Sequence, residues 1–330
     1  MDFYGSLGPA CADGETLRRL FDEGMTGARL NLSHTTLEDS AGLLETFWRA
    51  AEASGVRARL IIDLQGPEVR VGKLAAPVRL EEGAEAVLGT GGIGVPQAVV
   101  DTAEPGDAIS LDDSALALTV TEKRADALIC RVERGGVLHS RKSLAIPGRT
   151  VVLPVLTGED GQNLDHAAEY GVTDVLQSFV SSRDDVDALR GALDTRRLAV
   201  RIMAKIERPE GVRNLSGIMD AADGICIARG DLGNAMPLWE LPRTQKLIAR
   251  RSREAGKPFC VVTQLLWSMQ ERAVPTRAEV SDIYNAVLDG ASSLMLTNET
   301  ATGKYPCEAM RYLVRTAQTA LSREEGPTLS

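Results

Sequence analysis

Eight short apolar runs, at 3–7, 28–32, 60–64, 174–178, 198–206, 224–228, 259–263 and 293–296, restrict the fold of this chain more than any other feature. Segments with helical spacing stand between most of them, at about 14–23, 36–53, 158–170, 183–194, 209–222, 237–255, 277–289 and 306–321. Alternating strand and helix predicts a parallel sheet, and eight such units predict its closure into a (β/α)8 TIM barrel. From about Val69 to Pro147 the texture changes: glycines and short β-like runs replace helices, punctuated by Pro-Gly, Gly-Gly and Asp-Asp. This stretch reads as a small all-β domain inserted after the third strand. Removing the 79 residues 69–147 leaves 251, close to the ~250 of a typical barrel of this kind. The expected organisation is therefore a (β/α)8 barrel from 1–68 and 148–330, with an inserted β domain at 69–147.

Composition removes several classes of function. The net charge is −9 with no basic block, and aromatic residues make up 4%, so a nucleic-acid partner is not expected. Cys11, Cys130, Cys226, Cys260 and Cys307 are scattered, odd in number and never in a CxxC pair. They form neither a disulfide framework nor a zinc site, and a reducing cytoplasm suits them. No signal peptide and no run long enough to span a membrane is read in the sequence. No GxGxxG follows a strand, and there is no Walker loop.

The chemistry concentrates in 201–233, RIMAKIERPEGVRNLSGIMDAADGICIARGDLG. Lys205 and Glu207 are two apart at the end of a strand, so both point to one face. Asp231 follows the next strand, where Glu207 and Asp231 can converge as oxygen ligands for Mg²⁺. A cation beside a fixed lysine suits a reaction in which negative charge moves on a phosphate or an enolate. The plainer alternatives are a solvated Lys-x-Glu pair and an Arg-Gly-Asp turn. In 28–34, Leu30 and Leu32 face one side and Arg29, Asn31 and Ser33 the other; that polar face is either half exposed or part of a site.

Seven segments, in order, resemble the pyruvate kinase family: Ala28 to His34, Asp63 to Arg70, Lys205-Ile206-Glu207, Ala228 to Gly233, Thr263-Gln264, Pro275 to Glu279 and Asn298 to Ala301. The resemblance covers nearly the whole chain and implies phosphoryl transfer between phosphoenolpyruvate and ADP, giving pyruvate and ATP, with Mg²⁺ (or Mn²⁺) and K⁺. By this resemblance Glu207 and Asp231 hold the divalent cation. Lys205 stands beside the transferring phosphoryl group and the enolate, Arg29 on the phosphate, and Thr263 near the carbon that is protonated. Gly230 and Asp231 open a short helix toward the substrate carboxylate. Asn31, Ser33, Asp63 and the carbonyl of Leu64 match the K⁺ site, and Glu68 the branch of the family that depends on K⁺. Asn31, His34, Arg70 and Lys142 match the nucleotide side.

Departures from the family pattern are Leu64-Gln65, Asn234-Ala235-Met236, Thr297-Asn298 and a short, poorly matched lid. They leave open a paralogue using the same Mg²⁺-enolate chemistry on another pyruvate-like substrate, as a lyase, an aldolase or a kinase of another acceptor, or a non-catalytic binding protein. The family's C-terminal regulatory domain is expected to be missing. His139 and His166 read as surface residues, and Trp48, Trp239 and Trp267 as helical. Trp239 suggests a homo-oligomer, a dimer through the barrel.

Overall fold

Alternation along each strand decides which side chains reach the inside of the barrel. In the computed structural model, β1 (Asp2–Ser6), β2 (Gly27–Asn31), β3 (Arg59–Asp63), β4 (Asp174–Gln177), β5 (Arg201–Ile206), β6 (Gly224–Ala228), β7 (Phe259–Val262) and β8 (Ser293–Met295) close in the order β1-β8-β7-β6-β5-β4-β3-β2. Every neighbouring pair is parallel. The (β/α)8 expectation therefore holds. The structure describes residues 1–322 apart from 68, 113, 150 and 152. Glu68, expected to set K⁺ dependence, lies outside the described residues.

One residue of each alternate pair packs outward against the helices and the other fills the interior. Leu30, Leu60, Ile62, Ile202, Ile225 and Val261 join the outer core with helix residues such as Leu17, Phe47, Leu189 and Leu313. Tyr4, Ile61, Leu176, Met203, Cys226, Cys260 and Met295 form a separate apolar plug inside the barrel. Met203, Lys205 and Glu207 share the inward face of β5 and its end, so the polarity of that face rises from plug to rim. The same period sets Ile61 below Asp63 on β3 and Leu176 below Ser178 after β4. Apolar layers below and charged residues at the carboxyl ends are the arrangement that places sites in this fold at one rim.

Helix starts follow local chemistry. Thr157, Ser182 and Thr276 each form a capping box, with Asp160, Asp185 and Glu279 at the third helical position. Where a cap is absent or misplaced, the expected limits move. The second helix begins at Ala41 rather than Thr36, because the Thr36 hydroxyl accepts the Asp39 N–H at 3.0 Å and closes a separate turn. The segment 209–222 breaks at Asn214 into Pro209–Arg213 and Leu215–Ala221. The segment 237–255 starts as a 3-10 turn, Leu238–Glu240, before the helix Leu241–Glu254. Trp239 lies on that turn and Trp267 on another, Trp267–Gln270, so only Trp48 is in an α-helix.

The chain divides into two compact units: Met1–Gly66 with Val155–Ser330, and Pro67–Pro154. The second holds a five-stranded antiparallel sheet and a two-stranded one around its own apolar core. It is not purely β, since Gln97–Thr102 forms a short helix. Val99 and Val100 are buried in that core, and Ala103 continues it; burial of this apolar run outweighs its β-branched preference for a strand.

Candidate active site

The rim of the barrel gathers two of the expected residues, Arg29 and Lys205, around a third, the buried carboxylate of Asp63. Asp63, the last residue of β3, is 3% exposed, and the side chains of Arg29 and Lys205 are 14% and 13% exposed. Arg29 donates from Nε and Nη2 to Asp63 Oδ2 at 2.8 and 2.6 Å. Lys205 Nζ donates to Asp63 Oδ1 at 3.1 Å and to Ser178 Oγ at 2.9 Å. Burial pushes the Asp63 carboxyl up, but Lys205 and Arg29 outweigh it and hold the group below the usual carboxylate range. Burial likewise pulls Lys205 down, and Asp63 with Glu207 outweighs it, so the ammonium is retained above its ordinary value.

Glu207 has the opposite balance. It is 1% exposed as a residue. Burial raises its carboxyl; Lys205 lowers it, but Asp231 and Asp63 raise it further, and the net direction is upward. Phe179 donates its backbone N–H to Glu207 Oε2 at 2.6 Å, from a left-handed backbone with φ +57°. Lys205 Nζ forms an ion pair with Oε1 at 2.9 Å, and that enclosed oxygen has no other donor. A buried carboxylate oxygen with free lone pairs, and a second carboxylate close enough to repel it, suit a hard cation. Among the described residues no group of three or more His, Cys, Asp and Glu is gathered closely enough to hold a metal.

The candidate monovalent set surrounds the same corner. Asn31 Oδ1 accepts the Ser33 N–H at 3.2 Å. The carbonyl of Leu64 accepts Ser178 Oγ at 2.7 Å, and each oxygen keeps a second lone pair. The turn beyond, Leu64 to Gly66, is fixed by Asp160, which accepts the N–H groups of Gln65 and Gly66 at 2.8 and 3.1 Å. His34 is exposed in the turn after β2.

Gly230 and Asp231 lie in the short helix Arg229–Asn234. Thr263 follows β7 with φ +79° and Gln264 with φ +54°. A Cβ on Gly230 would stand 3.2 Å from Thr263 Cγ2, so the threonine lies against that glycine. Arg70 and Lys142 belong to the other unit. There Arg70 Nη1 donates to the Arg141 carbonyl at 2.7 Å, and Lys142 Nζ pairs with Asp112 Oδ1 at 2.8 Å.

Ser178, Asp160 and Arg229 were not anticipated as parts of the site. The signal for Ser178 was present: it follows Leu176 by two on a strand whose inward face ends at the rim. Asp160 and Arg229 act through backbone groups of other loops, which sequence spacing does not show. All five cysteines are buried free thiols, His139 is exposed and His166 half-buried beside Glu38 and Glu169. No helix among the described residues is long and apolar enough to cross a membrane.

The family description "Pyruvate kinase, barrel domain" matches residues 2–310. A pyruvate kinase of Thermococcus litoralis is 39% identical over 323 residues, 95% of this chain and 68% of that protein. One of Mycobacterium tuberculosis (strain H37Rv) is 39% identical over 319 residues, 94% of this chain and 68% of its own. The crystal structure of a pyruvate kinase from Cryptosporidium parvum superposes with a TM-score of 0.87 at 32% identity, covering 98% of this chain and 70% of that one. These matches favour phosphoryl transfer over the lyase, aldolase and binding-protein alternatives. Barrel, rim chemistry and matches together show that the chain belongs to the pyruvate kinase family and is a phosphotransferase acting between phosphoenolpyruvate and ADP.

Proposed function

We propose that the residues around Asp63 carry this reaction, and the paired Lys205, Arg29 and Glu207 at one rim are the observation behind the assignment. Arg29 holds the phosphate of phosphoenolpyruvate through its planar fork. Lys205, kept charged by Asp63 and Glu207, stays beside the phosphoryl group and the enolate oxygen and stabilises charge as it moves between them. The N–H groups around Gly230 and Asp231 receive the carboxylate. Thr263 stands by the carbon that takes up a proton, delivered through a water chain. Arg70, Lys142, Asn31 and His34 serve the nucleotide.

Glu207 and Asp231 would hold Mg²⁺ or Mn²⁺, with substrate and water completing the shell. A divalent cation bound there supplies Lewis-acid neutralisation of the phosphoryl and enolate oxygens. Asn31, Ser33, Asp63 and the Leu64 carbonyl offer amide, hydroxyl, carboxylate and carbonyl oxygens, a donor set that suits K⁺, and Glu68 accords with K⁺ dependence. The exposed Leu238 and Trp239, 70% and 81% accessible, support a homodimer through the barrel. Buried free thiols suit a cytoplasmic setting.

The test is pyruvate formation from phosphoenolpyruvate with Mg²⁺ and K⁺, with and without ADP. ADP-dependent formation of pyruvate and ATP, reduced ~10²–10³-fold or more by Lys205→Met, is expected. Turnover that ignores ADP, or survives in the mutant, would refute the assignment.

A further inference from the structure

Arg229 is a largely buried and heavily engaged cation outside the network around Asp63. Its side chain is 11% exposed. Nε and Nη2 both donate to the carbonyl oxygen of Thr263, at 3.1 and 2.7 Å. Nη1 donates to Asp282 Oδ2 at 2.6 Å, and reaches Gln245 Oε1 at 3.4 Å. One guanidinium thus ties the end of β6 to the end of β7, and both to the helices Leu241–Glu254 and Arg277–Leu288. The group it grips is strained. Thr263 is β-branched and has φ +79°, and Gln264 after it has φ +54°. Such a backbone is an outlier for a β-branched residue and persists only where the surroundings over-determine it. On the far side of the loop, Glu299 accepts the Leu266 N–H at 3.2 Å. The segment 263–266 is therefore held at its two ends, the strained end by Arg229, and the threonine side chain is set against Gly230.

We propose that Arg229 is a positioning residue for the protonation half of the reaction, holding the Thr263 backbone so that its hydroxyl faces the carbon of the enolate. The proposal rests on the reading of Thr263 given above. A lysine could offer one donor to the same carbonyl but not the two-pronged grip on Thr263 with a third arm on Asp282. Phosphoryl transfer would depend less on Arg229, because Lys205 and Arg29 are held by Asp63 rather than by this clamp.

Exchange of the pyruvate methyl protons in D₂O isolates the half-reaction. One methyl C–H bond breaks, the proton passes to solvent and its electron pair enters the enolate; a C–D bond then re-forms. The assay follows deuterium incorporation by NMR with Mg²⁺, K⁺ and ATP, beside the KM for phosphoenolpyruvate in the forward reaction. Arg229→Gln is expected to slow exchange at least tenfold with that KM within twofold of wild type. Arg229→Lys and Asp282→Asn should fall between the two, and Thr263→Ala should lose exchange as Arg229→Gln does. If Arg229→Gln does not fold, Arg229→Lys and Asp282→Asn decide the matter by the same comparison. Exchange unchanged in the Arg229 variants but lost in Thr263→Ala would overturn the proposal and leave the Thr263 reading intact. Exchange unchanged in Thr263→Ala would remove that reading and the proposal with it. A parallel loss of exchange and of phosphoenolpyruvate affinity in Arg229→Lys would reduce Arg229 to a general structural role and also overturn it.

Discussion

Asp63→Asn changes one buried atom type and almost no volume, so it isolates the charge at the centre of the rim. The native carboxylate accepts two hydrogen bonds from Arg29 on Oδ2 and one each from Lys205 and Ser178 on Oδ1, with Lys205 also 3.4 Å from Oδ2. An asparagine offers one acceptor, and its amide hydrogens meet cations that have only donors. Arg29 and Lys205, at 14% and 13% exposure, cannot turn to water for compensation. Removing one partner from a buried ionic group costs about 3–5 kcal/mol. For a barrel of this size that lowers the melting temperature by roughly 6–20 °C.

Asp174 supplies the comparison inside the same molecule. It too is buried, at 1% exposure, and holds two arginines, Arg59 at 3.2 Å and Arg201 at 2.5 Å. Those side chains are 35% and 39% exposed, so they rehydrate when the charge is removed. Asp174→Asn should cost roughly 1–2 kcal/mol and leave activity near wild type, whereas Asp63→Asn should abolish it. The pH dependence follows from the sign of the shift. The folded Asp63 carboxyl titrates below its unfolded value of about 3.9. Its stabilisation is therefore complete above that value and lost as pH falls through the folded one. Scanning calorimetry of the apo proteins from pH 8 to 3 should show a gap between wild type and Asp63→Asn that is constant to about pH 5 and closes below. A loss under about 1 kcal/mol, or a larger loss in Asp174→Asn, would refute the claim that solvent access of the partners decides the cost.

Gly66→Ala should lower both stability and turnover: its φ is +64° and its Cβ would stand 2.8 Å from the Cβ of Ser178, which would move the hydroxyl away from Lys205. A cost of about 1–3 kcal/mol is expected by thermal denaturation, and unchanged turnover would show that Ser178 does not position Lys205. Asp160→Ala leaves the N–H groups of Gln65, Gly66 and Thr157 without their acceptor, for a loss of roughly 2–4 kcal/mol in the same assay. Native protein should not react with an aromatic disulfide at pH 8, and denatured protein should yield five thiols: all five cysteines are buried, with burial pushing Cys11 up to about 11 and Cys130 up to about 12. Mn²⁺ and phosphoenolpyruvate should each tighten the other's binding by the same factor in calorimetric titrations; independent binding would contradict the charge balance at the rim.

The parts of this molecule legible in the sequence are those governed by period. Inward-facing Arg29, Asp63, Lys205 and Glu207 fall on the strand alternation that also separates the outer core from the inner plug, so the barrel and its polar rim could be read together, whereas the roles of those residues came from the family resemblance. Helix starts were less legible: Thr36 satisfies Asp39 in a turn of its own instead of capping the helix that begins at Ala41. The contacts to backbone atoms were not legible at all. Asp160 on Gln65 and Gly66, Glu207 on Phe179 and Arg229 on Thr263 span 95, 28 and 34 residues, and their acceptors or donors carry no residue-type signature. Those contacts hold the turns at φ +57° (Phe179), +64° (Gly66) and +79° (Thr263); the first and last are conformations that a residue with a side chain keeps only where the assembled rim over-determines them.

Charge at that rim supports the proposed pairing of a cation with the anionic substrate. Two cations, Arg29 and Lys205, share the corner with three carboxylates, Asp63, Glu207 and Asp231, so the unliganded site carries one excess negative charge. A phosphorylated acid approaching it meets repulsion as well as the two cations. The site relieves part of that excess through Glu207, whose carboxyl is held protonated to a higher pH than usual by burial and by its acidic neighbours. Lowering the pH satisfies Glu207 with a proton, but a proton leaves no charge to offer a phosphate. On the reading proposed above, a divalent ion held by Glu207 and Asp231 would turn one excess negative charge into one excess positive charge and favour the ionised form of Glu207. Each ligand thereby removes an electrostatic cost of the other. The same reasoning assigns Asp63 a different task from Glu207: its oxygens accept from Arg29, Lys205 and Ser178, so it keeps the two cations charged and in place whatever else it binds, while Glu207 Oε1 has only its ion pair with Lys205.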